Sequence, residues 1–190
     1  MRIRIDLAYD GTDFAGWQVQ PDSPTVQGLL RDACARILGG PVKVTGASRT
    51  DAGVHALAQV ASFTTESPIP AENLAKALND ILPPSIRVLE VTEAPPEFHA
   101  RKSAQAKTYR YRMYRGAICP PFLARYVWHY PFPLYESAMA LAAELVVGEQ
   151  GRVERWELPG SMSFNFMLYN ALGGGGTRRS RRRGPGSSRR

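Results

Sequence analysis

Arg2-Ile3-Arg4-Ile5-Asp6-Leu7-Ala8-Tyr9 is the segment with the clearest structural pattern in this chain. Its odd-numbered side chains are aliphatic or aromatic, whereas its even-numbered ones are charged or small. A period of two is typical of a β-strand with one buried face. We therefore predict a strand here that turns its odd-numbered residues into a core.

Two helices are predicted after this strand. Thr25 suits an N-cap, and Gly39-Gly40 suits the end of the first helix. Pro70 fits the first turn of the second helix, which should end before Pro83-Pro84. The apolar residues at helical spacing are Leu29, Leu30, Ala33, Cys34, Ile37 and Leu38 in the first helix, and Leu74, Ala75, Leu78, Ile81 and Leu82 in the second.

Three further segments complete the first unit. Residues 41–47 and 59–63 read as strands between the helices, and residues 86–91 read as a strand after them. The order β-α-β-β-α-β predicts an α+β fold, specifically a ferredoxin-like sandwich over residues 1–96.

A second unit is predicted over residues 97–171. It contains a strand at 107–114, a helix at 134–147, and one more strand or a hairpin within 152–166. This set is too small for a complete sheet, so we predict an incomplete α/β subdomain. The Gly/Arg-rich residues 172–190 have little to bury, and we expect them to be disordered.

Charge and composition narrow the class of protein. The net charge is +7, but residues 177–190 hold seven arginines and no acid, and without them the basic residues fall from 24 to 17, equal to the acidic ones. Cys34 and Cys119 are too few for a disulfide framework, and no apolar run approaches the length of a membrane span. We expect a soluble cytoplasmic protein with no membrane partner.

The segment from Arg101 to Arg115 is locally basic. It contains six basic residues, no acidic ones, and three interleaved tyrosines at positions 109, 111 and 114. Basic and aromatic side chains on one strand are typical of a surface that holds phosphates and stacks bases.

The loop Ser48-Arg49-Thr50-Asp51-Ala52-Gly53-Val54-His55-Ala56 places one carboxylate between predicted strands. Such a loop aims a side chain rigidly, and functional residues favour such positions. Composition alone slightly favours a plain turn, with Asp51 and Gly53 present for turn geometry.

The blocks around this loop resemble the tRNA pseudouridine synthase A family, in the family's order and over roughly residues 1–150. The matching blocks are Tyr9-Asp10-Gly11-Thr12 with Gly16-Trp17-Gln18, Thr25-Val26-Gln27-Gly28, the Asp51 loop, Leu78-Asn79 with Leu82-Pro83, Phe98-His99-Ala100-Arg101, and Lys107-Thr108-Tyr109-Arg110-Tyr111. Outside the Asp51 loop, Asp10 is expected to cap its own turn and Trp17 to pack in the core.

The resemblance implies a cofactor-free isomerase that converts uridine to pseudouridine in the anticodon stem-loop of tRNA (tRNA positions 38–40). It places the nucleophile at Asp51, a buried carboxylate in a cleft between the two units, and a substrate-binding tyrosine at Tyr109. Arg49 either fills the space of the flipped base or contacts phosphate. His99 and Arg101 touch the RNA backbone or support the loop. The family forms homodimers, and no metal is implied.

Two other functions stay open at this stage. One is an RNA-binding protein that keeps the fold without catalysis. The other is a metal hydrolase using Asp51, His55 and His99, although no second pair of ligands has suitable spacing.

The chain departs from the family after Gly148-Glu149. The family's Gly-Glu-His-Asp-Phe segment is missing, and Ala171-Leu172-Gly173 stands where the family has Met-Val-Arg. That arginine is the family's partner for the catalytic carboxylate. The pattern suggests an internal deletion followed by a change of reading frame or a gene-model error, and predicts a weakly active or inactive chain.

Overall fold

The computed structural model describes residues 1–145, 151–158 and 161–169, which form eight strands and four helices. In chain order these are β1 (Arg2–Tyr9), α1 (Val26–Leu38), β2 (Thr45–Gly46), β3 (Ala56–Thr64), α2 (Ala71–Ile81), β4 (Ile86–Ala94), β5 (Ala106–Tyr114), α3 (Pro121–Ala124), β6 (Trp128–His129), α4 (Glu136–Glu144), β7 (Gly151–Leu158) and β8 (Ser161–Tyr169).

The first sheet has the strand order β2-β3-β1-β4, and each neighbouring pair is antiparallel. The odd-numbered residues of β1 are buried, as predicted, in a core shared with α1 and α2. β1 lies at an inner position of the sheet, because β3 pairs with one of its edges and β4 with the other. The predicted α+β class is confirmed: the chain combines antiparallel sheets with helices.

Both ends of α1 are as predicted. The Thr25 side chain accepts a hydrogen bond from the backbone N–H of Gly28 at 3.2 Å, and Gly39 ends the helix with φ of 74°. Only glycine adopts that left-handed conformation without strain. Cys34 is fully buried on the apolar face, and burial raises the pKa of its thiol to about 12.

The second helix differs from its prediction at its start. Pro70 has an extended backbone and precedes the helix, which begins at Ala71. The Asn79 side chain binds both backbone groups of Val88, accepting from its N–H at 2.8 Å and donating to its carbonyl at 2.9 Å. These two bonds tie α2 to β4.

The predicted strand over residues 41–47 is largely wrong, because only Thr45 and Gly46 pair with β3. The Gln27 side chain donates to the Val44 carbonyl at 2.9 Å, so a helix side chain takes the acceptor that a neighbouring strand would otherwise use. Gly46 also faces the Trp17 ring so closely that a Cβ there would lie 2.5 Å from it.

The second sheet has the order β6-β5-β8-β7, with β5 parallel to β6 and the other pairs antiparallel. β7 and β8 form a hairpin, which resolves the alternative left open for this segment. The helix predicted at 134–147 is observed as the shorter α4, and residues 172–190 lie outside the described part. No described helix is long and apolar enough to cross a bilayer.

Candidate active site

The Asp51 loop is held at its base by Gln59. This side chain is buried, donates to the Ser48 carbonyl at 3.0 Å, and accepts from the Ser48 N–H at 3.3 Å. The backbone N–H of Ala47 donates to Val60 at 2.8 Å. The loop therefore leaves the sheet in a defined direction.

The middle of the loop lies against the segment that follows β1. Trp17 donates its backbone N–H to Thr50 at 3.0 Å, and Gly53 donates to Phe14 at 3.2 Å. Gly16 has a φ of 93°, and a Cβ on it would lie 2.6 Å from the Thr50 carbonyl oxygen. The close approach of the two backbones thus requires glycine at position 16.

Tyr9 supports the same part of the loop from the core. Its hydroxyl lies 2.8 Å from the Thr50 hydroxyl, and its ring lies 6.1 Å from that of Trp17. Burial raises the pKa of Tyr9, although hydrogen bonds with Thr50 and Gln59 act in the opposite direction. Trp17 is buried, which confirms its predicted packing role.

Asp51 stands at the first position of a tight turn. The Val54 N–H donates to the Asp51 carbonyl at 3.2 Å, and Gly53 supplies the positive φ of 77°. Within the described residues, no hydrogen bond or ion pair engages the Asp51 carboxylate. The side chain is exposed, so the expected burial of this carboxylate is wrong for the chain as described. The turn therefore presents to solvent a carboxylate that has no partner in the described part of the chain.

His55 closes the far end of the loop. Its Nδ1 lies 3.1 Å from the Gly11 backbone nitrogen and 3.0 Å from the Asp10 carboxylate, and its Nε2–H donates to the Arg125 carbonyl at 2.9 Å. Asp10 also caps its own turn, as predicted, by accepting from the backbone and hydroxyl of Thr12. The sequence did not predict Arg125 as a neighbour of this loop, and no motif marks it.

His99 and Arg101 lie together in the connection between the two sheets. His99 Nδ1 accepts from the backbone N–H groups of Arg101 at 3.2 Å and Lys102 at 3.3 Å. The connection is fastened to the first sheet because Arg2 donates to the Phe98 carbonyl at 2.8 Å and Ala100 donates to the buried Ser62 hydroxyl at 3.2 Å. His99 thus shapes the turn that carries the exposed Arg101.

Tyr109 lies on β5, opposite Phe166 in the register with β8. It is half-buried, whereas Tyr111 on the same face is 62% exposed. Arg49 is exposed on the Asp51 loop. Among the described contacts, no hydrogen bond or ion pair joins Asp51, Arg49 and Tyr109 to one another, whereas His99 and Arg101 are joined.

The metal-hydrolase alternative finds no support in the described ranges. There, no group of three histidine, cysteine, aspartate or glutamate side chains forms a metal site. Both ring nitrogens of His55 have protein partners, and His99 Nδ1 faces backbone N–H groups.

The family model described as tRNA pseudouridine synthase matches residues 7–101, which include the Asp51 loop and every segment that holds it except residues 125–126. The chain belongs to the tRNA pseudouridine synthase family. The match also covers α1, α2 and the turn at His99.

Curated members of this family are similar over a longer stretch. The tRNA pseudouridine synthase A of Solibacter usitatus is 55% identical over 148 residues, which are 78% of this chain and 62% of that protein. The enzymes of the same name from Moorella thermoacetica and Caldicellulosiruptor saccharolyticus are 48% and 44% identical, over 60% of their own lengths. The chain thus spans about three fifths of the curated synthases that it matches.

Proposed function

We propose that the chain isomerises uridine to pseudouridine in the anticodon stem-loop of tRNA with Asp51 as the nucleophile, and that its activity is weak because Ala171-Leu172-Gly173 stands where the family has Met-Val-Arg. One observation carries the proposal: a loop held at base, middle and far end presents the exposed Asp51 carboxylate within the segment that matches the family model. A carboxylate can bond to the nucleotide, release uracil from its first attachment, and depart when the base is rejoined through carbon. No cofactor is needed for this rearrangement.

Substrate binding is proposed for four further residues. Tyr109 would stack on the flipped uracil, and Arg49, on the nucleophile's own loop, would occupy the vacated space or contact phosphate. Arg101 and His99 would act as one element, since the histidine shapes the turn that carries the exposed arginine, which would contact the RNA backbone. The basic strand β5 continues this surface.

The architecture proposed around the site is a ferredoxin-like sandwich over residues 1–96 facing an incomplete second subdomain over 97–171. The element order β-α-β-β-α-β and the antiparallel sheet β2-β3-β1-β4 support the first assignment. A cleft between the units would receive the flipped base. A homodimer in the cytoplasm is the expected form, and sedimentation of the purified chain tests the dimer.

The first prediction concerns Asp51. Asp51→Asn should lower pseudouridine formation at least about a thousandfold, because the amide is a far weaker nucleophile, while tRNA affinity changes little. The measurement is release of tritium from tRNA labelled at C5 of uridine, with filter binding in parallel. Asp80→Asn, the same change on an exposed position of α2, is the matched control. Full activity of Asp51→Asn would refute the assignment.

An RNA-binding protein without catalysis is the second candidate. It is favoured by the lack, among the described contacts, of any cation beside the Asp51 carboxylate. The two candidates predict the same tRNA binding and differ in tritium release. Weak release by the unmodified chain, abolished by Asp51→Asn, supports the synthase, and binding with no release supports the second candidate.

A further inference from the structure

A cluster of polar side chains lies at the His55 end of the Asp51 loop. It comprises Asp10, His55, Arg125 and Tyr126, which come from the end of β1, the end of the loop, and the residues after α3. The Asp10 and Tyr126 positions are 116 residues apart, so only the tertiary fold brings them together.

Asp10 is the centre of the cluster. Its Oδ1 accepts from the Thr12 N–H at 3.0 Å and the Thr12 hydroxyl at 2.6 Å, and lies 3.0 Å from His55 Nδ1. Its Oδ2 accepts from the Tyr126 hydroxyl at 3.0 Å and lies 3.5 Å from Arg125 Nη1. Both oxygens of the Asp10 carboxylate therefore have polar partners.

The Asp10 carboxyl group is ionised at neutral pH. Desolvation alone would raise its pKa, but the hydrogen bonds from Thr12 and Tyr126 and the charge of His55 together hold the pKa below its ordinary value. The carboxylate in turn raises the pKa of Tyr126, which keeps that hydroxyl protonated as a donor.

His55 links this carboxylate to the loop. The Nε2–H donates to the Arg125 carbonyl, which leaves Nδ1 to accept from the Gly11 N–H or, when protonated, to donate to Asp10. The ring also lies 5.1 Å from that of Tyr126. His55 is therefore held on both ring nitrogens and on one face.

The backbone beside His55 packs closely against Gly11. A Cβ on Gly11 would lie 2.1 Å from the Val54 carbonyl oxygen, so the two backbones are in direct contact. Val54 in turn donates to the Asp51 carbonyl and closes the turn that carries the nucleophile. A displacement of His55 would therefore shift its neighbour Val54 and, with it, the turn that carries Asp51.

From these contacts we propose that Asp10 and His55 are positioning residues that fix the Asp51 turn, and that Tyr126 locks the pair from outside the first unit. Their effect on turnover rests on the proposed function, whereas their effect on the loop does not. Neither residue needs to touch the uridine. Their removal should lower kcat more than it raises KM, because tRNA binding surfaces are unchanged while the nucleophile loses its fixed orientation.

Hydrogen exchange on the full chain tests the effect on the loop. In Asp10→Asn and His55→Ala, amides 53–55 should exchange about tenfold faster, while amides in α1 stay at wild-type rates. Tyr126→Phe removes one hydroxyl and should give a smaller increase at the same amides. The matched controls are Asp80→Asn and Tyr135→Phe, since Tyr135 is 85% exposed. Unchanged exchange in all three cluster variants overturns the proposal.

Kinetics on labelled tRNA tests the catalytic consequence. Asp10→Asn should lower kcat about tenfold with KM within about twofold, and Tyr126→Phe should fall between Asp10→Asn and wild type. Faster exchange with an unchanged kcat refutes the positioning role. If the wild type releases no tritium, the proposed function fails, and hydrogen exchange alone still decides whether the cluster fixes the turn.

Discussion

At the scale of single residues, two glycines set the path of the Asp51 loop. Gly53 supplies the positive φ of the turn, a role that the sequence already predicts from its place two residues after Asp51. Gly16 lies far from the loop in the chain, and its importance comes from its contact with Thr50. The role of Gly53 can be read from its neighbours in the sequence. The role of Gly16 depends on the Thr50 backbone that packs against it, which only the tertiary structure shows.

Gly16→Ala should destabilise the chain by about 1–3 kcal/mol, because alanine meets both an unfavourable φ and the Thr50 carbonyl oxygen. The free energy of unfolding from urea titration measures this. Gly40→Ala is the matched control, since a Cβ there meets nothing within 4 Å and should leave stability nearly unchanged. Equal stabilities for the two variants would contradict the close approach.

At the scale of elements, α1 was predicted well and the short strand β2 poorly, and the short helix α3 was not predicted. Capping residues and apolar periodicity lie within the helix itself, so α1 could be predicted from Thr25 to Gly39. Next to β2, the Val44 carbonyl accepts a hydrogen bond from Gln27, which belongs to another part of the chain. The sequence also does not fix the first residue of α2. The fixed φ of Pro70 suits both the first turn of a helix and the residue before it, and the structure places Pro70 before the helix.

Asn79→Ala should cost about 2–4 kcal/mol, because it leaves the N–H and the carbonyl of the buried Val88 without their partners. Asn73→Ala, on an exposed position of the same helix, should cost less than about 0.5 kcal/mol. Thermal unfolding followed by circular dichroism compares the two. A similar loss in both would mean that helix propensity, rather than the link to β4, sets the effect.

At the scale of the whole molecule, the buried apolar residues of the described part of the chain are unevenly distributed. The main core cluster is drawn from residues 3–91, whereas Met113 is the one buried apolar residue described at the core of the second sheet. Several large apolar side chains between positions 118 and 145 are exposed, including Ile118, Phe122 and Leu145 at 85% or more. Within residues 1–145, most of the buried apolar surface therefore lies in the first sheet and its helices, and residues 118–145 bury little.

Within residues 1–145, limited proteolysis should therefore cut first at positions 103–145 and leave a resistant fragment that contains residues 1–101. The reason is that local opening is easiest where few apolar contacts hold the backbone. Mass spectrometry of the early fragments identifies the cut sites. Among cuts within residues 1–145, earlier cuts inside β1 or α1 than inside 103–145 would contradict the prediction.

Local pattern by itself determined the β-α-β-β-α-β order, the ends of α1 and the blocks that resemble the family, and the comparisons confirmed that membership. Those features are encoded within a few residues of one another. Tertiary structure alone decided that Asp51 is exposed, that Gly16 faces Thr50, and that Asp10 meets His55 and Tyr126. The physical reason is that burial and long-range hydrogen bonds depend on which segments meet in space, and local sequence periodicity does not encode that.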